Sequence, residues 1–210
     1  MTELVLYSPP VSTYARICAV VAEEAGVAWR IQPMDARTVR ARGLHPFAKT
    51  PAAHIDGELI YETRAVAAYL DAAHNDGALT PTDPLALARM QQWISVADNY
   101  LFAVSDPGLV LPRLVAPLMG READEAFVAR ALPVIDWQLG LLSERLELAG
   151  HVAGPELSLA DLHLWPMIHA IGLTNEGAAM IGAKLPLARW KDALAQRPSA
   201  IATRWPGEPY

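Results

Sequence analysis

Every stretch that reads as a β-strand lies before residue 63, and everything after residue 84 reads as helix. That asymmetry limits any sheet to about four strands and leaves most of the chain to a helical body. "ELVLY" (3–7) alternates with the two-residue period of a half-buried strand, and "VAWRIQPM" (27–34) reads as a second. "AAHIDGELIYE" (52–62) reads as a hairpin, with Asp56-Gly57 supplying the turn. Helical spacing links Ile17, Val20, Val21 and Ala25, and Gly26 stands where a C-terminal cap belongs. "DARTVRARG" (35–43) has room for a short helix, and Val66, Tyr69, Leu70 and Ala73 mark another.

"HNDGALTPTDP" (74–84) is a linker by composition. Asp83-Pro84 then opens a long helix as N-cap and first-turn proline, continuing through Met90, Trp93, Ile94, Ala97 and Leu101. "SDPGLVLPRLVAPLMGREAD" (105–124) interrupts the periodicity. Further helices are expected over 126–148, 159–172, 175–183 and 186–196. Ser158 and Asp161 have capping-box spacing, with Leu157 and Leu162 at staple positions. The expected organisation is a βαβ–ββα domain over 1–75, a linker over 76–84 and an all-α helical bundle domain over 85–210.

Charge and composition exclude several function classes. The net charge of −6, without a basic stripe, argues against nucleic acid as a partner. The start "MTELVLYSPP" lacks the segments of a signal peptide. Cys18 is the single cysteine, so no intrachain disulfide forms, and a cytoplasmic location is expected. The apolar run 101–119 carries Asp106, Arg113 and three prolines, which bars it from spanning a membrane. His163 and His169 stand six apart and do not share a helix face as an i, i+4 pair would, and no metal is expected. There is neither a phosphate-binding glycine loop nor a GxSxG elbow.

Four local patterns occur in order along the chain. They are "LYSPPVSTYAR" (6–16), "HPFAKTPAAHIDGELIYETRAVAAYL" (45–70), the linker into Asp83-Pro84, and "SLADLHLWP" (158–166). Together they resemble the cytosolic glutathione transferases, in particular bacterial, serine-type members of theta- or phi-like class. The second pattern departs from the family's at His45 for Asn, Ala48 for Gly, Thr50 for Val and Thr63 for Ser. The resemblance implies a thioredoxin-like N-terminal domain with a mixed four-stranded sheet, followed by an all-helical domain. It also implies glutathione as co-substrate, a small hydrophobic electrophile as second substrate, and a homodimer.

The residue types fit that chemistry. The reactive form of glutathione is its thiolate, and a free thiol is only about 3% ionised at pH 7. Lowering its pKa by about two units takes roughly 2.7 kcal/mol. One charge-assisted hydrogen bond supplies about 1.5–3 kcal/mol, and a helix N-terminus about 0.3–1 more. By resemblance Ser12 is the catalytic donor. Read from the residues alone, Ser12 or Thr13 is simply an N-cap. Tyr7 is the rival donor and Tyr14 a third. Cys18, inside the apolar helix, reads as a core residue rather than a nucleophile.

The remaining site residues are likewise implied by resemblance. Thr50, before Pro51 in a cis step, offers its main chain to the cysteinyl part of glutathione. Thr63 holds the γ-glutamyl carboxylate through its N–H and hydroxyl, and Glu62 takes the ammonium. The bare residues suggest a cap with an acid in the first turn there. Lys49 neutralises the glycyl carboxylate, with Arg37, Arg40 and Arg42 as alternatives. Phe47 stands where some members place an aromatic key for the partner subunit, and a core role suits it equally. Val11, Trp93, Leu101, Met119 and Trp165 are candidates for an apolar second-substrate pocket between the domains. A glutathione-dependent isomerase using the same site, or a non-catalytic binding or regulatory member of the fold, remains an alternative.

Overall fold

The computed structural model describes residues 2–208. The chain forms two compact units. The first runs to Thr80 and resumes at Ala195, and the second spans Pro81–Leu194.

The first unit is built on a four-stranded sheet of order β2-β1-β3-β4. β1 (Glu3–Ser8) runs parallel to β2 (Ala28–Pro33). β3 (Ala52–Ile55) is antiparallel to both β1 and β4 (Glu58–Tyr61). A parallel neighbour requires a crossover, and α1 (Thr13–Glu24) provides it. Asp56 and Gly57 adopt φ of 52° and 84°, the left-handed pair that a two-residue hairpin turn demands. α1 is buried from Ala15 to Ala22 and packs against α3 (Thr63–His74). Strand alternation sends Tyr7 to the opposite face from Leu6 and Ser8. There Tyr7 meets Met34, Ala52, Leu44 and Val39 of α2 (Ala36–Ala41).

Buried Asp71 folds the start of the expected linker back onto α3. Its carboxylate accepts from Leu79 N (3.0 Å), Asn75 Nδ2 (2.9 Å) and Thr80 Oγ1 (2.7 Å). Residues 195–208, grouped by sequence with the helical part, belong with the first unit. Here α10 (Pro198–Ala202) lies against α1. Arg16, buried on α1, pairs with Glu208 at 2.7 Å, and Glu24 at the end of α1 pairs with Arg197 at 2.7 Å. A buried guanidinium is tolerated only with such a partner.

The second unit opens with α4 (Pro84–Val96), capped by Asp83 as expected. The stretch 105–124, where the helical periodicity is interrupted, stays helical as far as Met119. It is wound wide: residues 97–101 and 106–115 are π-helical, joined by α5 (Phe102–Ser105), and 117–119 close with a 3₁₀ turn. Pro107 and Pro112 lack the N–H that the α-helical ladder needs, so the turns widen rather than stop. Gly108 lets this segment approach α6 (Glu125–Ala149), because a Cβ there would meet the Ala131 Cβ at 2.4 Å.

α7 (Leu159–Gly172) is buried on nearly all sides, as befits the central helix of a bundle. α8 (Asn175–Gly182) and α9 (Leu185–Ala195) complete the unit. No helix among the described residues is long and apolar enough to cross a membrane. Asp161 does more than close the capping box. Fully buried, it accepts from Ser158 N (3.0 Å), Ser158 Oγ (2.8 Å), Val152 N (3.1 Å) and Trp190 Nε1 (3.0 Å). Each buried donor left stranded costs about 1–3 kcal/mol. Asp161→Ala is therefore expected to lower stability by about 3 kcal/mol or more in a urea melt, with kcat of the folded fraction unchanged. A melt matching the parent protein would refute this role.

Candidate active site

Strand register gathers three distant segments at one end of the sheet. Tyr7 pairs with Ala52, and Ala52 with Tyr61. Continuing one residue along each strand brings Ser8, Pro51 and Glu62 into a single row. The loop from Ser8 to Ser12, the Thr50-Pro51 step and the head of α3 therefore meet there, although Ser8 lies 43 residues before Pro51 and 54 before Glu62.

Ser12 is the N-cap of α1, with extended backbone, and its Oγ accepts the Ala15 N–H at 3.3 Å. Tyr7 is placed differently. Its hydroxyl shares a hydrogen bond of 3.0 Å with His54 Nδ1 on β3, and its ring packs in the cluster on the α2 face. The Thr50-Pro51 peptide is cis. Ala48, where the resembling pattern has glycine, holds a φ of 54°, a conformation that glycine adopts most readily.

Glu62 precedes α3 with φ 72°, and its side chain makes no cap hydrogen bond. Thr63, the first residue of α3, is 7% exposed, and the helix packs on α1. Lys49, Arg37, Arg40 and Arg42 are exposed. Among the apolar pocket candidates, Trp165 and Leu101 are 1% and 3% exposed and belong to the core of the second unit. Helical spacing alone does not separate a core face from a pocket face.

One neighbour of Glu62 was visible in the sequence only as a departure from the family pattern. His45 is 1% exposed, and its Nε2 lies 3.7 Å from Glu62 Oε1. Its Nδ1 accepts the Phe47 N–H at 3.2 Å.

Residues 11–73 match the family model for the N-terminal domain of glutathione S-transferase. The chain is 30% identical over 203 residues to glutathione S-transferase 4 of Zea mays, covering 93% of this chain and 89% of that one. It is 27% identical over 207 residues to glutathione S-transferase 3 of the same plant, covering 95% and 92%. The chain belongs to the glutathione S-transferases. Its fold superposes on apo glutathione S-transferase III with TM-score 0.87 at 26% identity, covering 99% and 100% of the two chains. Glutathione S-transferase I of maize, solved with an atrazine glutathione conjugate, gives 0.85 at 25% identity over 95% of each chain.

Cys18 fits the core reading. Burial pushes its thiol up to about 12, against the opposing hydrogen bond from Thr63. The folded chain keeps this proton between pH 9 and about 12 while the unfolded chain loses it. The resulting stability is complete below pH 9 and declines above it. A thiol-specific reagent at pH 8 is expected to leave the native protein unlabelled and to modify one thiol after denaturation. Stoichiometric labelling of the native protein would contradict the assignment.

Proposed function

We propose that the chain conjugates glutathione to small hydrophobic electrophiles, with Ser12 as hydrogen-bond donor to the thiolate. The observation that carries the reading is the cap geometry. A serine hydroxyl has one proton and two acceptor positions. Ser12 Oγ spends an acceptor position on the Ala15 N–H, so its own proton stays available at the head of α1. Capping and thiolate stabilisation are therefore compatible roles of one side chain. The roughly 2.7 kcal/mol required is within reach of that bond together with the helix terminus. Engagement of the Tyr7 hydroxyl with His54 favours Ser12 over Tyr7.

Glutathione lies, in this reading, on the thioredoxin-like domain of residues 1–75. Thr50 offers its main chain beside Pro51, and Lys49 meets the glycyl carboxylate. The helix head at Thr63, which has no side-chain cap, attracts the γ-glutamyl carboxylate. Thr63 contributes its backbone N–H and its hydroxyl there. Glu62 takes the ammonium. The thiolate sulfur attacks the electrophile, a carbon–sulfur bond forms, and the leaving group departs with the electron pair of the bond it breaks.

We further propose a cytoplasmic homodimer in which Phe47, 70% exposed on the first unit, enters the partner subunit. The serine-type class extends to this chain on the strength of the Ser12 geometry, and a bacterial origin rests on the sequence resemblance.

Two measurements test these statements. Thiolate ultraviolet absorbance of the glutathione complex, followed against pH, is expected to shift up by one to two units, about 10- to 100-fold in ionisation, in Ser12→Ala. An unchanged titration would remove Ser12 from the mechanism. Light scattering is expected to report a dimer for the parent protein and a weakened one for Phe47→Ser. Identical masses at all concentrations would remove Phe47 from the interface.

A further inference from the structure

We infer that His45 is a positioning residue for the γ-glutamyl ammonium of glutathione, acting through the carboxylate of Glu62. The inference rests on the assignment of Glu62 to that ammonium.

His45 is held from three sides. Its ring is 1% exposed, lies 4.9 Å from the Tyr61 ring and meets Phe47 edge-on at 6.2 Å. Nδ1 accepts the Phe47 N–H at 3.2 Å, so the ring proton sits on Nε2. Nε2 faces Glu62 Oε1 at 3.7 Å. That separation is too long for a formed hydrogen bond and short enough for one small rotation to close it.

Glu62 needs such a partner. Its side chain is 66% exposed and makes no cap hydrogen bond. Its backbone is committed, because its carbonyl accepts from both Ala65 and Val66 and its φ is 72°. A free glutamate side chain loses much rotamer freedom when a ligand fixes it. A donor already placed beneath one carboxylate oxygen narrows those rotamers and leaves the other oxygen facing outward for an ammonium. The buried imidazole thus pre-organises an exposed acid.

His45 also has a purely structural task. The turn from His45 to Ala48 is closed by Phe47 N–H on Nδ1 and by Ala48 N–H on the His45 carbonyl at 3.2 Å. Two substitutions separate the tasks. Asn reproduces the Nδ1 acceptor and loses the Nε2 end, whereas Gln places an N–H near the Nε2 position. Steady-state kinetics should be run with glutathione and with its analogue lacking the γ-glutamyl amino group, alongside thermal melts.

His45→Asn is expected to raise KM for glutathione about fivefold. Its kcat and its KM for the amine-free analogue should stay at parent values, while its melting temperature falls modestly because the buried ring is truncated beside Tyr61. His45→Gln should restore the parent KM for glutathione. Equal rises for both thiols, or no rise for either, would overturn the inference. Glu62→Gln is the control. If it leaves the preference for glutathione over the analogue intact, the Glu62 assignment fails and takes the inference with it. If Glu62→Gln erases that preference while His45→Asn does not, only the role of His45 fails.

Discussion

The site depends first on strand register. A shift of one residue between β1 and β3 would move every side chain of β3 to the other face of the sheet. It would also carry Pro51 out of line with Ser8 and Glu62. The register is held from both sides: β1 pairs with β3 through Val5, Leu6 and Tyr7, and the Asp56-Gly57 turn sets β3 against β4. Leu4, Leu6, Ala53 and Ile55 are all fully or almost fully buried, so slippage would expose much of the core. The same apolar pattern that makes the sheet therefore assembles the site.

On that frame, the two helix heads present different groups. The head of α1 is capped by a hydroxyl that keeps its proton, which suits a thiolate. The head of α3 has no side-chain cap, which suits a carboxylate. Other helices of the chain, such as those starting after Asp35, Asp83 and Asp124, close their first turns with an aspartate carboxylate. A carboxylate has no proton to give a sulfur and would repel it. Serine at position 12 is thus a cap chosen for what it leaves available.

Departures from the family pattern become physical statements in the structure. Ala48 holds a left-handed backbone that glycine would adopt at lower cost. Thr63 keeps a hydroxyl, on a residue that is only 7% exposed. His45 fills a buried position where its ring reaches Glu62, a contact spanning 17 residues that no local pattern announces.

Much of the fold was legible because its signals are short-range. Alternation over 3–7, the Asp56-Gly57 turn, the Asp83-Pro84 start and the Ser158–Asp161 box each involve only a few neighbouring residues. They determined the order of elements, the confinement of strands to the first third of the chain, and the position of Ser12 at a helix start. The break in periodicity over 105–124 was legible too, but that its proline-bearing turns widen rather than end the helix is decided by packing, here by the close approach of Gly108 to Ala131. Tertiary structure alone decided that Tyr7 is engaged by His54, that Trp165 and Leu101 are core, and that residues 195–208 return to α1. The ion pair between Arg16 and Glu208 joins residues 192 apart. Burial requires such a charge to have a partner, but only the folded chain determines which one it meets.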